Sequence, residues 1–137
     1  SSSALPPLLD GVTVVVAHPD DEVMWFSSVL ARARRIVVAF GDIPSRPDYS
    51  AGRREAIAQF PLPGLDALML TESEAYFAAA WPDPQPSAAG LQVRRDDDCM
   101  PGFSARRYRE NYDRLVEALR PRLQDAAVVC THSPWGE

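Results

Sequence analysis

The sequence predicts an α/β domain built on a mainly parallel sheet with helices on both faces. Three observations predict it. Short β-branched runs alternate with segments of helical periodicity along the 137 residues. The runs are apolar throughout rather than alternately apolar and polar, which marks strands buried on both faces. The length suits one domain with a real core.

The elements follow in order. Val12 to Ala17, Val-Thr-Val-Val-Val-Ala, is a buried strand, and His18-Pro19 ends it. Asp20 or Asp21 then caps a helix whose inward face carries Phe26, Val29, Leu30 and Ala33. Trp25 is expected in the core with them. Arg32, Arg34 and Arg35 stand near the end of that helix, where cations suit its dipole. Ile36 to Phe40 is the second strand. Ser50 to Phe60 is a helix stopped by Pro61, and Asp66 to Leu70 is a third strand. From Ala80 to Ser104 six prolines and glycines make a long irregular loop, of the kind that usually serves function. Helical periodicity returns from Ala105 to Leu119, with Tyr108, Tyr112, Leu115, Val116 and Leu119 on one face. Ala126 to Thr131 is the last strand.

Composition narrows the function classes. Fourteen basic and nineteen acidic side chains give a net charge of −5, which argues against a general nucleic-acid binder. No apolar stretch approaches the roughly 20 residues of a membrane span. Two cysteines make no disulfide framework, and Cys130 in its apolar run reads as a small buried hydrophobe. A reducing, cytoplasmic setting is the simplest expectation.

Chemistry concentrates at the strand ends. In open parallel sheets ligands bind outside the carboxyl ends of the strands. His18 follows the first strand and His132 the last, so both are expected on that one rim, where His132 can touch substrate. Within His18-Pro19-Asp20-Asp21-Glu22, an imidazole and a carboxylate three residues apart can converge on one cation across a turn that proline stiffens. Imidazole with carboxylate suits zinc or another borderline divalent metal. Asp20 would face a metal-bound water and take its proton. Taken singly, His18 reads as a structural histidine and Asp20 and Asp21 as helix caps; the whole string after a buried strand favours a site.

The segment Val14-Val15-Val16-Ala17-His18-Pro19-Asp20-Asp21-Glu22 resembles the signature of the PIG-L/LmbE-like family of zinc-dependent de-N-acetylases. Arg120-Pro121 and the run Ala127 to Glu137 resemble that family's last core strand and the loop after it. The resemblance implies a Rossmann-like fold. It also implies hydrolysis of an N-acetyl group on an N-acetylglucosamine-type conjugate, releasing acetate and a free amine. By resemblance His18 and Asp21 are zinc ligands, Asp20 is the general base, and Glu22 supports them. The family's third ligand comes from a His-x-x-His element, expected here beyond Glu137. Residues 1–137 are thus expected to be a single domain that continues further. The family's second helix often carries Arg-x-x-Glu. Gly52 stands at the arginine position before Glu55, and Arg53 is the residue expected to reach substrate in its place.

Weaker candidates are Asp96-Asp97-Asp98, read as a solvated acidic loop, and Trp81 and Trp135, which can stack on a sugar. The competing reading is a truncated or degenerate module of the same fold that binds a glycan or only supports an assembly. A nucleotide-binding domain is disfavoured because no glycine-rich phosphate loop follows the first strand.

Overall fold

The computed structural model describes residues 6–73, 83, 85–92 and 105–133. After a short 3-10 turn at Pro7–Leu9 come β1 (Thr13–Val16), α1 (Asp21–Leu30), β2 (Arg35–Asp42), α2 (Pro47–Ala58) and β3 (Leu65–Thr71). A small hairpin, β4 (Pro86–Ser87) and β5 (Gly90–Leu91), precedes α3 (Ala105–Leu123) and β6 (Val129–Thr131). The main sheet has four strands in the order β3-β2-β1-β6, every pair parallel. This is the α/β class expected, with β1 and β2 in the middle.

Valines and isoleucine dominate the centre because branched side chains, stiff at χ1, pack well on a pleated surface. Val12, Val14, Val16, Ile36 and Val38 form the core with Val29 and Leu30 of α1. β2 is buried over four consecutive residues, Ile36 to Ala39, so both of its faces are covered. Each such side chain contributes about 1.5–3 kcal/mol on burial. α1 packs on β1, α2 on β2, and α3 touches β3.

Several boundaries differ from expectation. α2 starts three residues early, at Pro47, because a proline in the first turn needs no N–H and presets φ. α3 runs past Leu119 to Leu123 with Pro121 inside its last turn. There the Arg122 guanidinium donates to the Ala118 carbonyl at 2.7 Å and pairs with Asp66 of β3, which anchors the helix end. The last strand is only Val129–Thr131. Part of the expected loop is the β4–β5 hairpin, where Gly90 sits at φ +110° with Tyr108 Oη 2.7 Å from where a Cβ would stand. Tyr112 and Val116 of α3 remain about two-fifths exposed, so the helix buries its apolar stripe incompletely.

Trp25 is not in the core. It is 55% exposed, with Val23 and Met24 beside it. Successive helical residues are about 100° apart. Phe26 therefore takes the sheet-facing position with Val29 and Leu30, and Trp25 is turned to solvent. Cys130 is half-buried and its thiol is free. Trp81, Asp96, Asp97, Asp98, Cys99 and Trp135 lie outside the described residues.

Candidate metal centre

Three strand exits meet at one edge of the sheet. His18 follows β1 by two residues, Glu72 directly follows β3, and His132 directly follows β6. β1 and β6 are paired in register from Thr13↔Val129 to Val15↔Thr131, which sets the two histidines side by side. Glu72 reaches the same place through two compensating irregularities. β3 carries an extra residue where Met69 adopts φ +54°, and β2 carries one at Gly41. Thr71 therefore pairs with Asp42 after all, and the Glu72 N–H donates to the Asp42 carbonyl at 2.8 Å. A Cβ at Gly41 would lie 2.5 Å from the Met69 sulfur, so any larger residue there would displace the end of the Met69 side chain.

Asp21 does not act as a cap for its own helix. Its Oδ2 reaches backward to accept the His18 N–H at 2.8 Å, closing the His18-Pro19-Asp20-Asp21 turn. Asp20 occupies the N-cap position without a side-chain capping bond, and its φ is +117°, a conformation that non-glycine residues rarely adopt. Its carbonyl accepts the N–H groups of Val23 and Met24 at 3.0 and 2.9 Å. Glu22, only 5% exposed, accepts the Asp20 N–H at 3.0 Å and holds that turn.

Two ring nitrogens approach the same carboxylate oxygen. His18 Nδ1 lies 3.4 Å and His132 Nε2 3.3 Å from Asp21 Oδ2. Both separations are long for hydrogen bonds. His132 Nε2 already faces the Ala17 N–H at 3.4 Å as an acceptor, just as Asp21 Oδ2 faces the His18 N–H. A cation between them would take the His132 Nε2 lone pair from the Ala17 N–H, a contact that at 3.4 Å is long for a hydrogen bond. Bonds of about 2.0–2.2 Å to a tetrahedral zinc set neighbouring donors roughly 3.3–3.5 Å apart, so each pair fits one edge of such a site. The donors adjoin in pairs only: among the described residues no group of three or more His, Cys, Asp or Glu side chains forms a ready-made cage.

Glu72 was not singled out from the sequence, although its place directly after a buried strand, like that of His132, is a signal that could have found it. Its Oε1 lies 3.3 Å from His18 Nε2 and accepts from Arg53 Nη1 at 2.6 Å. The Glu72 contact, opposed by burial, raises the pKa of His18 above its ordinary value. Burial pushes Glu72 up, but the bonds from His18 and Arg53 outweigh it and leave its pKa lowered. Arg53 is nearly buried, and its guanidinium also stands 5.0 Å over the Tyr49 ring. Its guanidinium meets the cluster through Glu72. Gly52 faces open space.

Two cavities flank this cluster. One, of about 380 Å³, is lined by His18, Phe40, Glu72, Ser73, Tyr108 and Asn111. The other, of about 390 Å³ between α1 and α2, includes Asp20, Glu22, Asp48 and Arg53. His18 and Asp20 therefore line different cavities. His132 lies against Asp21 and packs edge-on to Phe26, with ring centroids 6.0 Å apart. Among the described residues no helix is long and apolar enough to cross a membrane. In comparisons with known proteins, no family model matches this chain, and neither a curated protein nor a solved structure matches it.

Proposed function

We propose that this chain carries the metal centre of a PIG-L/LmbE-like hydrolase. It would remove an N-acetyl group from an N-acetylglucosamine-type conjugate, releasing acetate and a free amine. The observation that supports the reading is the approach of His18 Nδ1 and His132 Nε2 to Asp21 Oδ2 at the spacing of a tetrahedral edge. The His18-Pro19-Asp20-Asp21-Glu22 string supports it independently. A Rossmann-like topology with helices on both faces, the site on the carboxyl rim and a reducing, cytoplasmic setting belong to the same proposal.

His18 and Asp21 hold the zinc in this reading. His132 stands where a further donor is needed, and the remaining ligand is expected beyond Glu137. Zinc, when bound, supplies a Lewis acid and lowers the pKa of water. Glu72 fixes the His18 ring by taking its second N–H, as partners of ligating histidines do. Asp20 accepts the proton of the attacking water and returns it to the leaving amine. Arg53, held by Glu72, orients a hydroxyl-bearing substrate.

The decisive variant is Asp20→Asn. Turnover of N-acetylglucosamine conjugates, read by amine release, should vanish while zinc content measured by atomic absorption stays at parent level. Retained activity, or lost zinc, would count against this assignment. A second reading is a non-catalytic glycan-binding module. It is favoured by the opening of Asp20 and His18 into different cavities. Stoichiometric zinc and glycan binding without amine release would select it.

A further inference from the structure

We propose that the cavity beside His18 receives the group to which the sugar is conjugated, and that this group is an uncharged aromatic ring carrying a carboxamide or hydroxyl. The inference rests on the hydrolase reading and adds to it the chemical class of the conjugate. At about 380 Å³ the cavity has the size for a ring and its substituent.

One face of α3 makes the wall. Tyr108, Asn111, Tyr112 and Leu115 recur at i, i+3, i+4 and i+7, and all four line the cavity. Phe40 of β2 lines it too, its ring centroid 6.2 Å from that of His18. The apolar space therefore begins at the candidate centre. Asn111 fixes the wall, because its Nδ2 donates to the Thr71 carbonyl at 2.6 Å and ties α3 to the end of β3. Rings in the wall suit a flat guest, since offset and edge contacts between rings add to burial.

Two buried polar groups decide what the guest carries. Ser73 is 7% exposed and lines the cavity, yet its hydroxyl meets no hydrogen-bond partner among the described residues. A buried hydroxyl in that state is costly until something bonds to it. Asn111, 5% exposed, commits its amide nitrogen to Thr71, and its amide oxygen is an acceptor. A carboxamide or hydroxyl can donate to that oxygen and accept from the Ser73 hydroxyl. Among the described residues of the lining only His18 and Glu72 can be charged at neutral pH, and they face each other at 3.3 Å. A charge on the guest would find no free counter-ion.

The test is calorimetric titration of the chain with benzamide, with acetamide and benzoate as controls. Alongside it, amine release is measured from the 4-carbamoylphenyl and methyl glycosides of N-acetylglucosamine. Benzamide should bind about tenfold or more tighter than either control, from burial of its ring. The aryl glycoside should exceed the methyl glycoside by about tenfold in kcat/KM. Ser73→Ala removes an unpartnered hydroxyl, so it should fold like the parent and weaken benzamide about fivefold. Tyr112→Ala, on the partly exposed face of α3, should weaken it about fivefold as well. Equal affinity for either control, or unchanged benzamide affinity in both variants, would overturn the proposal. Equal kcat/KM for the two glycosides would also overturn it, with the hydrolase reading intact. No amine release from either glycoside, with benzamide bound as expected, would sink the hydrolase reading instead and leave the cavity a site for a neutral aryl amide.

Discussion

Glu72 ties the histidine that follows β1 to the arginine of α2. Its carboxylate receives Arg53 at 2.6 Å on one side and stands 3.3 Å from His18 Nε2 on the other. Removing it leaves a nearly buried guanidinium without its partner and frees the His18 ring to rotate. We expect Glu72→Ala to lower unfolding free energy by roughly 1–3 kcal/mol. If His18 ligates zinc as proposed, zinc affinity should fall about 10–100-fold, the usual consequence of losing a group that orients a ligating histidine. Chelator competition measures the second effect and urea unfolding the first; unchanged zinc affinity would detach Glu72 from the metal centre. At this scale the sequence disclosed His18, Asp21 and the turn between them, because all three fall within four residues. It did not disclose Glu72, which lies 54 residues from His18 along the chain. That pairing depends on two compensating bulges that no local pattern announces.

Among the elements, opposite edges of the sheet do different work. The carboxyl edge gathers the candidate centre. The amino edge is pinned by exposed ion pairs: Arg32 at the end of α1 with Asp10 before β1, and Arg34 before β2 with Asp125 after α3. The hydrogen bond from each arginine lowers the pKa of its aspartate below the ordinary 3.8, with burial opposing slightly. A carboxylate lowered in the folded state adds stability that is complete above its ordinary value and is lost as pH falls through the lowered one. The double variant Asp10→Asn/Asp125→Asn should therefore melt below the parent at pH 6, with the gap closing as pH drops under 3.8. The gap should also shrink with added salt, since both pairs are exposed. A gap in melting temperature that is independent of pH would show that the pairs do not act through charge. The order of elements was readable from period alone. Their ends were less so: α3 continues through Pro121 because Arg122 reaches Asp66, a contact 56 residues away in the chain.

For the whole molecule, stability rests on a small core shared by β1, β2 and α1. Ile36 is 1% exposed at its centre, and Ile36→Ala should cost about 2–5 kcal/mol. That is a large part of the roughly 5–15 kcal/mol available to a domain. Trp25→Ser should stay within about 0.5 kcal/mol of the parent, since the indole stands in solvent. Urea unfolding checks both, and a large loss at Trp25 would mean that α1 is covered on its outer face. By itself the sequence determined the α/β class, the buried central strands and the His18–Asp21 turn, because these depend on hydrophobic period and on neighbours within one turn. Only the tertiary structure decided that His132 meets Asp21, that Glu72 links His18 to Arg53, and that Asp20 and His18 open into different cavities. Those contacts depend on strand register and helix rotation, which bring together side chains far apart in sequence and leave no short-range trace in the chain.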